Sequence, residues 1–193
     1  KLRGRYRSRC MDSLLREARE LEARGVKELI VIAQDITRYG WDLKDGTSLA
    51  GLLKELCKLD FHWIRLHYLY PEAITDELIS VIASQPRILH YLDIPIQHAN
   101  DGILKAMRRR NTRAELEALF AKLRAAMPDV VIRTSLICGL PGEGEAEFEE
   151  LCQFLREQKL QRAGVFQFSP EEGTLAYSME NQVDDETAAR RVE

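Results

Sequence analysis

The sequence predicts an α/β fold, a partial (β/α) barrel of about five parallel strands, and three observations carry that prediction. Short apolar runs alternate with stretches of helical period along the whole chain. Each run is strand-length and at least one helix separates it from the next, as in parallel strands joined by crossovers. Polar or glycine-bearing residues follow almost every run, which favours a barrel rim over the single switch point of a doubly wound sheet. Five strands do not close a barrel of eight, and the chain opens on a helix as though a first strand were missing.

Met11, Leu14, Leu15, Ala18 and Leu21 mark one face of the opening helix, which Gly25 stops. Glu28 to Ala33 is a continuous apolar run and predicts a parallel strand covered on both faces. Leu49, Leu52, Leu53 and Leu56 form the next helix, started by Thr47 or Ser48. A strand over Phe61 to Tyr68 precedes a helix over Thr75 to Ser84 that Pro86 closes, and a strand over His90 to Pro95 precedes a helix near Gly102 to Arg108. Thr112-Arg-Ala-Glu115 is a capping box opening a helix with Leu116, Leu119, Phe120 and Leu123, ended by Pro128. The strand Val130 to Cys138 breaks into Gly139-Leu140-Pro141-Gly142. A helix with Phe148, Leu151, Cys152 and Leu155 follows, then a last strand over Arg162 to Ser169 and a polar helical tail from Asp184.

The bulk numbers exclude several classes. At 193 residues, 45% hydrophobic and 31% charged, the chain has the composition of an ordinary globular domain, with no internal boundary or repeat. A net charge of −3 gives no global nucleic-acid footprint. No apolar run approaches the roughly 20 residues of a membrane span and no signal peptide is visible, so a cytoplasmic protein is expected. The four cysteines, Cys10, Cys57, Cys138 and Cys152, match neither zinc nor iron–sulfur spacing, and the last three read as small core residues.

The candidate site residues lie at the strand ends. Gln34 and Asp35 follow the first strand as ligand contacts or as turn formers. The second exits through Arg65, His67, Tyr68 and Tyr70-Pro71, the third through Asp93, Gln97 and His98, and the last through Gln167-Phe168-Ser169-Pro170. Gln97 and His98 could equally cap the next helix. Arg133 stands in an otherwise apolar strand and needs an anionic partner, either a ligand carboxylate or Asp93 or Asp35. The bare backbone of Gly139 to Gly142 permits a flat ligand to approach. Lys1, Arg3, Arg5, Arg7 and Arg9 alternate at the amino end and could meet RNA or an acidic partner, whereas Arg108-Arg109-Arg110, the second basic cluster, could be functional or only complement a helix dipole. No catalytic triad, zinc spacing or phosphate loop emerges, so the chemistry is expected to belong to a cofactor.

Six long segments in one order carry a family resemblance: RGRYRSR (Arg3 to Arg9), GVKELIVIAQDITRYG (Gly25 to Gly40), WIRLHYLYP (Trp63 to Pro71), YLDIPIQH (Tyr91 to His98), MRRRNTR (Met107 to Arg113) and RTSLICGLPGE (Arg133 to Glu143). With FSPEEGTLAY and QVDDETAARR they resemble the RimO family of radical S-adenosylmethionine methylthiotransferases, and the DIPIQH and QDITRYG forms favour it over the tRNA-modifying MiaB family. The resemblance implies a radical S-adenosylmethionine barrel working with S-adenosylmethionine and 4Fe-4S clusters, one of them auxiliary, and placing a methylthio group on an aspartate of a small-subunit ribosomal protein. It implies that Gln34 and Asp35 hold the methionine amino group, Gln97 the ribose, and Arg133 or Ser135 the methionine carboxylate. Gly139, Gly142, Val165 and Phe166 would border the adenine. The family's Cys-x-x-x-Cys-x-x-Cys would precede Lys1, and Cys10 cannot replace it. The expectation is therefore a core over residues 1–193, incomplete at its amino end, inactive alone, with the auxiliary-cluster and carboxyl-terminal substrate domains absent.

Overall fold

The computed structural model describes residues 4–193. Lys1 and Arg3 of the basic amino-terminal pattern lie outside the described residues. Two compact units are present, one running up to Asp93 and including Leu123–Val130, the other made of Ile94–Lys122 and Val131–Glu193. The strands follow chain order, β1-β2-β3 in the first unit and β4-β5 in the second.

The first unit contains α1 (Met11–Ala23), β1 (Glu28–Ile32), α2 (Leu49–Leu56), β2 (Trp63–His67), a 3-10 turn at Pro71–Ala73, α3 (Asp76–Ser84) and β3 (Ile88–Asp93). Ser48 and Thr75 cap α2 and α3 by accepting the N–H groups of Gly51 and Leu78, which supplies partners that a helix start otherwise lacks. β1 and β2 pair in parallel from Glu28↔Trp63 to Ile32↔His67. β2 and β3 are also parallel, with an irregularity between Ile64 and Leu66. Leu53, Leu56, Phe61, Ile64, Leu66 and Ile82 are buried together as the core of this unit.

Two details differ from the sequence expectation. β3 begins two residues earlier and stops at Asp93, because the chain re-enters the sheet directly after the Gln85–Arg87 turn, where Ile64 N–H donates to Arg87 O at 2.7 Å. Pro95, expected inside the strand, has no N–H to give a ladder and follows it instead. Nor is β1 covered on both faces: Ile30 and Ile32 are 50% and 61% exposed. Period-two alternation leaves Leu29 and Val31 half-buried and Ile30 and Ile32 on an open face, and the strand borders a cavity of about 820 Å³ that α1 and α2 also line.

The second unit contains α4 (Asp101–Ala106), most of α5 (Arg113–Ala126), β4 (Val131–Cys138), α6 (Glu145–Gln158), β5 (Arg162–Gln167), a 3-10 turn at Ala176–Ser178 and α7 (Asp185–Val192). The capping box forms as the sequence predicts: Thr112 N–H donates to Glu115 Oε2 at 2.7 Å, and Glu115 N–H donates to Thr112 Oγ1 at 3.3 Å. β4 and β5 are parallel from Arg133↔Arg162 to Cys138↔Gln167. Ile94–Gln97 runs beside β4, with Ile94 N–H on Arg133 O and Gln97 N–H on Ser135 O.

Candidate functional site

In the first unit the loop after β1 is built around Asp35, which is 7% exposed. Its Oδ1 accepts the N–H of Thr37 at 3.0 Å and also the Thr37 hydroxyl, and its Oδ2 pairs with Arg38 Nη1 at 2.7 Å. Arg38 reaches Glu72 at 2.8 Å through its other nitrogen and lies over the rings of Trp41 and Tyr70. Burial alone would lower the Arg38 pKa, but Glu72 and Asp35 outweigh it and the value is raised. Both carboxylate oxygens of Asp35 are thus committed to folding the loop. Gln34, beside it, is exposed and lines the cavity.

The exits of β2 and β3 make a second polar group. Arg65 Nε donates to Glu28 Oε1 at 2.5 Å and its guanidinium lies 4.9 Å from the centroid of Tyr91. His67 Nδ1 stands 3.3 Å from Asp93 Oδ2. Tyr68, next along, takes a positive φ of 62° and is 41% exposed.

The second unit brings the other predicted residues together. Along β4 the buried Ile132, Thr134, Leu136 and Cys138 alternate with the half-buried Arg133, Ser135 and Ile137, so the latter three share one face. Arg133 Nη1 donates to Ser135 Oγ at 3.3 Å. Across the ladder Phe166 pairs with Ile137 and is 56% exposed. Gly164 pairs with Ser135, and a Cβ there would lie 3.7 Å from Arg133 Nη2. Val165 pairs with Leu136 on the opposite face, so toward the open face it offers backbone alone. Gln97 bridges to Leu136 with φ of 72°, and its side-chain amide makes no hydrogen bond among the described residues.

The glycine turn is held from behind by residues that the sequence reading left unassigned. Gly139 and Gly142 have φ of 81° and 84°, a region open to glycine at little cost. Glu143, 2% exposed, accepts the Gly139 N–H at 2.9 Å and Arg191 Nη1 at 3.0 Å on the same oxygen. Arg191 also donates to the Glu143 carbonyl and lies over the Phe148 ring. Gly142 N–H donates to Asn181 O at 2.8 Å, and a Cβ on Gly139 would meet Ala188 Cβ at 2.5 Å.

His98 completes this cluster rather than capping a helix. Asn100 is the cap of α4, accepting the Ile103 N–H, and it donates its own N–H to His98 Nδ1 at 3.0 Å. The other nitrogen of His98 therefore carries the proton in the neutral ring. It stands 3.4 Å from Glu143 Oε2, too long for a good hydrogen bond but close enough for attraction. Burial would raise the Glu143 pKa; His98, the Gly139 amide and Arg191 reverse that, and it is lowered.

Cys138 ends β4 beside this cluster, and burial followed by the Glu143 charge pushes its thiol up to about 12. Cys10 is exposed, Cys57 and Cys152 are half-buried, and all four cysteines are free. Among the described residues no group of three or more His, Cys, Asp or Glu side chains could hold a metal ion, and no helix is long and apolar enough to cross a membrane.

Parallel βα units that carry polar side chains and a glycine turn at their strand exits make an α/β fold of the kind that binds its ligand at that edge. The Radical SAM superfamily profile matches residues 1–155, and the chain belongs to that superfamily. Within it, the chain is 52% identical over 191 residues to the ribosomal protein uS12 methylthiotransferase RimO of Geotalea uraniireducens, covering 98% of this chain and 43% of that protein. The RimO of Pelobacter propionicus is 50% identical over 192 residues, covering 99% and 43%. The chain thus spans less than half the length of these relatives. Two solved structures share the fold: SuiB of Streptococcus suis bound to S-adenosylmethionine, with a TM-score of 0.62, 15% identity and coverage of 96% and 40%, and the coproporphyrinogen III oxidase HemN of Escherichia coli, with a TM-score of 0.65, 17% identity and coverage of 95% and 39%.

Proposed function

We propose that this chain is the core of a RimO-type methylthiotransferase, which in the cytoplasm adds a methylthio group to an aspartate of ribosomal protein uS12. The observation that carries the reading is the 52% identity to a RimO over 98% of the chain. On this reading residues 1–193 are the superfamily core, and the cluster-binding cysteines, auxiliary-cluster domain and substrate domain belong to the part of the relatives that the chain does not span. The exposed Arg5, Arg7 and Arg9 offer a contact for ribosomal RNA.

The open face of the second unit suits S-adenosylmethionine. Gln97 offers a free amide to the ribose, and Arg133 with Ser135 offers donors to the methionine carboxylate. The exposed Phe166 ring, the Val165 backbone and the bare turn from Gly139 to Gly142 would flank the adenine. In the first unit Gln34 supplies an exposed amide, and Asp35 acts by holding the loop that presents it. When bound and reduced, S-adenosylmethionine supplies the radical that takes hydrogen from an unactivated carbon. The described residues do not fit a four-iron cluster.

Two measurements test the reading. Calorimetric titration of S-adenosylmethionine into the chain should show weak binding that Gln97→Ala and Ser135→Ala each reduce; absence of any heat would remove the cofactor site. Mass spectrometry after anaerobic turnover by an enzyme holding this core should find a methylthio group on uS12. Modification of tRNA alone would instead assign it to the tRNA-modifying branch.

A further inference from the structure

The open face of the first unit carries a second built site that S-adenosylmethionine binding leaves unused. Arg65 and His67 alternate on β2 with the buried Ile64 and Leu66, so both project from one face. Each is held from behind by a carboxylate, Glu28 on Arg65 and Asp93 on His67, and the Tyr91 ring packs against both. Glu28 takes only the Nε edge of the guanidinium. The two terminal nitrogens of Arg65 and the Nε2 of His67 make no hydrogen bond among the described residues, although these side chains are 24% and 25% exposed. Exposed Ile30, Ile32 and Trp63 surround them with apolar surface.

We infer that this face receives the acidic side chain of the polypeptide substrate, its carboxylate taken by the terminal nitrogens of Arg65 and, in the ring that carries both protons, by the Nε2–H of His67. The inference rests on the RimO-type reading and names the part of the chain that would recognise the acid. A guanidinium fixed at one edge presents the other as a planar fork, which matches the two oxygens of a carboxylate. Two chain carboxylates already offset Arg65 and a protonated His67, so the site selects by hydrogen-bond geometry more than by net charge. The apolar rim would exclude water once a polypeptide lies across it, which strengthens those bonds.

The test uses a uS12 peptide that spans the target aspartate and its Asn counterpart, titrated into the whole chain and followed by fluorescence anisotropy. The wild type should prefer the Asp peptide about tenfold, as expected for hydrogen bonds to a charged group. Arg65→Lys, which keeps the charge and loses the fork, should erase most of that preference without weakening the Asn peptide, and His67→Gln should erase part of it. Equal affinity for both peptides in the wild type, or a preference untouched by Arg65→Lys, would overturn the inference. A second arm separates it from the substrate named above. With four histidines in the chain, the His67 ring resonances can be assigned by substitution. They should move with N-acetyl-aspartate methylamide and not with the asparagine analogue. That response without uS12 peptide binding keeps the carboxylate site and counts against uS12; no response at His67 overturns the site itself.

Discussion

Asp35 and Glu143 are both buried carboxylates just beyond a strand, one in each unit, and they are held in opposite ways. Asp35 is satisfied by its own loop, through Thr37 and Arg38 two and three residues on. Glu143 gathers partners from Gly139, His98 and Arg191, the last 48 residues away. A locally satisfied carboxylate shapes one loop and reaches the rest of the unit only through its partners there, as Arg38 reaches Glu72. One satisfied from a distance ties a ligand-facing turn to α7, so damage at either end should be felt at the other.

The largest expected effect comes from Glu143→Ala. It removes the buried carboxylate from the Arg191 guanidinium, 5% exposed at its side chain, leaving it the Glu143 carbonyl and the exposed Glu145, and it frees the Gly139 amide. Breaking a buried pair costs about 3–5 kcal/mol, read as a lower midpoint in urea by circular dichroism. The same residue sets an acid dependence. A carboxyl whose folded pKa is lowered adds stability that is complete above its unfolded value and is lost as pH falls through the folded one. Glu143→Gln should therefore flatten the loss of stability below the ordinary glutamate range, and an unchanged acid limb would show that its charge is not what holds the turn.

Gly139→Ala ranks second. The new methyl meets Ala188 Cβ at a φ of 81°, and overpacking of this kind costs about 1–3 kcal/mol. The Cys138 thiol reports the damage: nearly inert to alkylation at neutral pH while buried, it should react faster in the variant, and Ala188→Gly should restore much of its protection. Asp35→Asn is the smallest. It loses one partly exposed ion pair and keeps the Thr37 bond, so about 1 kcal/mol is expected, with the Cys138 alkylation rate unchanged. A change in that rate would erase the contrast between the two carboxylates.

The fold was legible because it is written locally. Ser48, Thr75 and the Thr112–Glu115 box cap the helices that their spacing announces, and five apolar runs became five strands. The edges of β3 were missed because Pro95 lies outside the ladder while the polar His90 lies inside it. The site was half legible. Gln97, Arg133, Ser135 and the glycine turn fall near one another because β4 and the segment beside it run in register. Arg191 and Asn181 could not be read, since nothing in a polar tail says which buried acid it will meet. A glutamate placed directly after a turn that leaves a buried strand was the one available sign. Likewise Arg65, His67 and Asp93 were visible as strand-end residues, but their pairing depends on the offset between β2 and β3 and on a distant Glu28.

Trp41 and Trp63 are the two tryptophans of the sequence; both fall in the first unit, and they are 60% and 45% exposed. Intrinsic tryptophan emission is thus a private channel to that unit. It should respond to a peptide settling beside Ile30 and Arg65, and be nearly blind to the release of α7. An unfolding curve taken by tryptophan fluorescence alone would miss the failure of the Glu143 cluster. Moving an indole to Phe148, beneath Arg191, would give the second unit its own light.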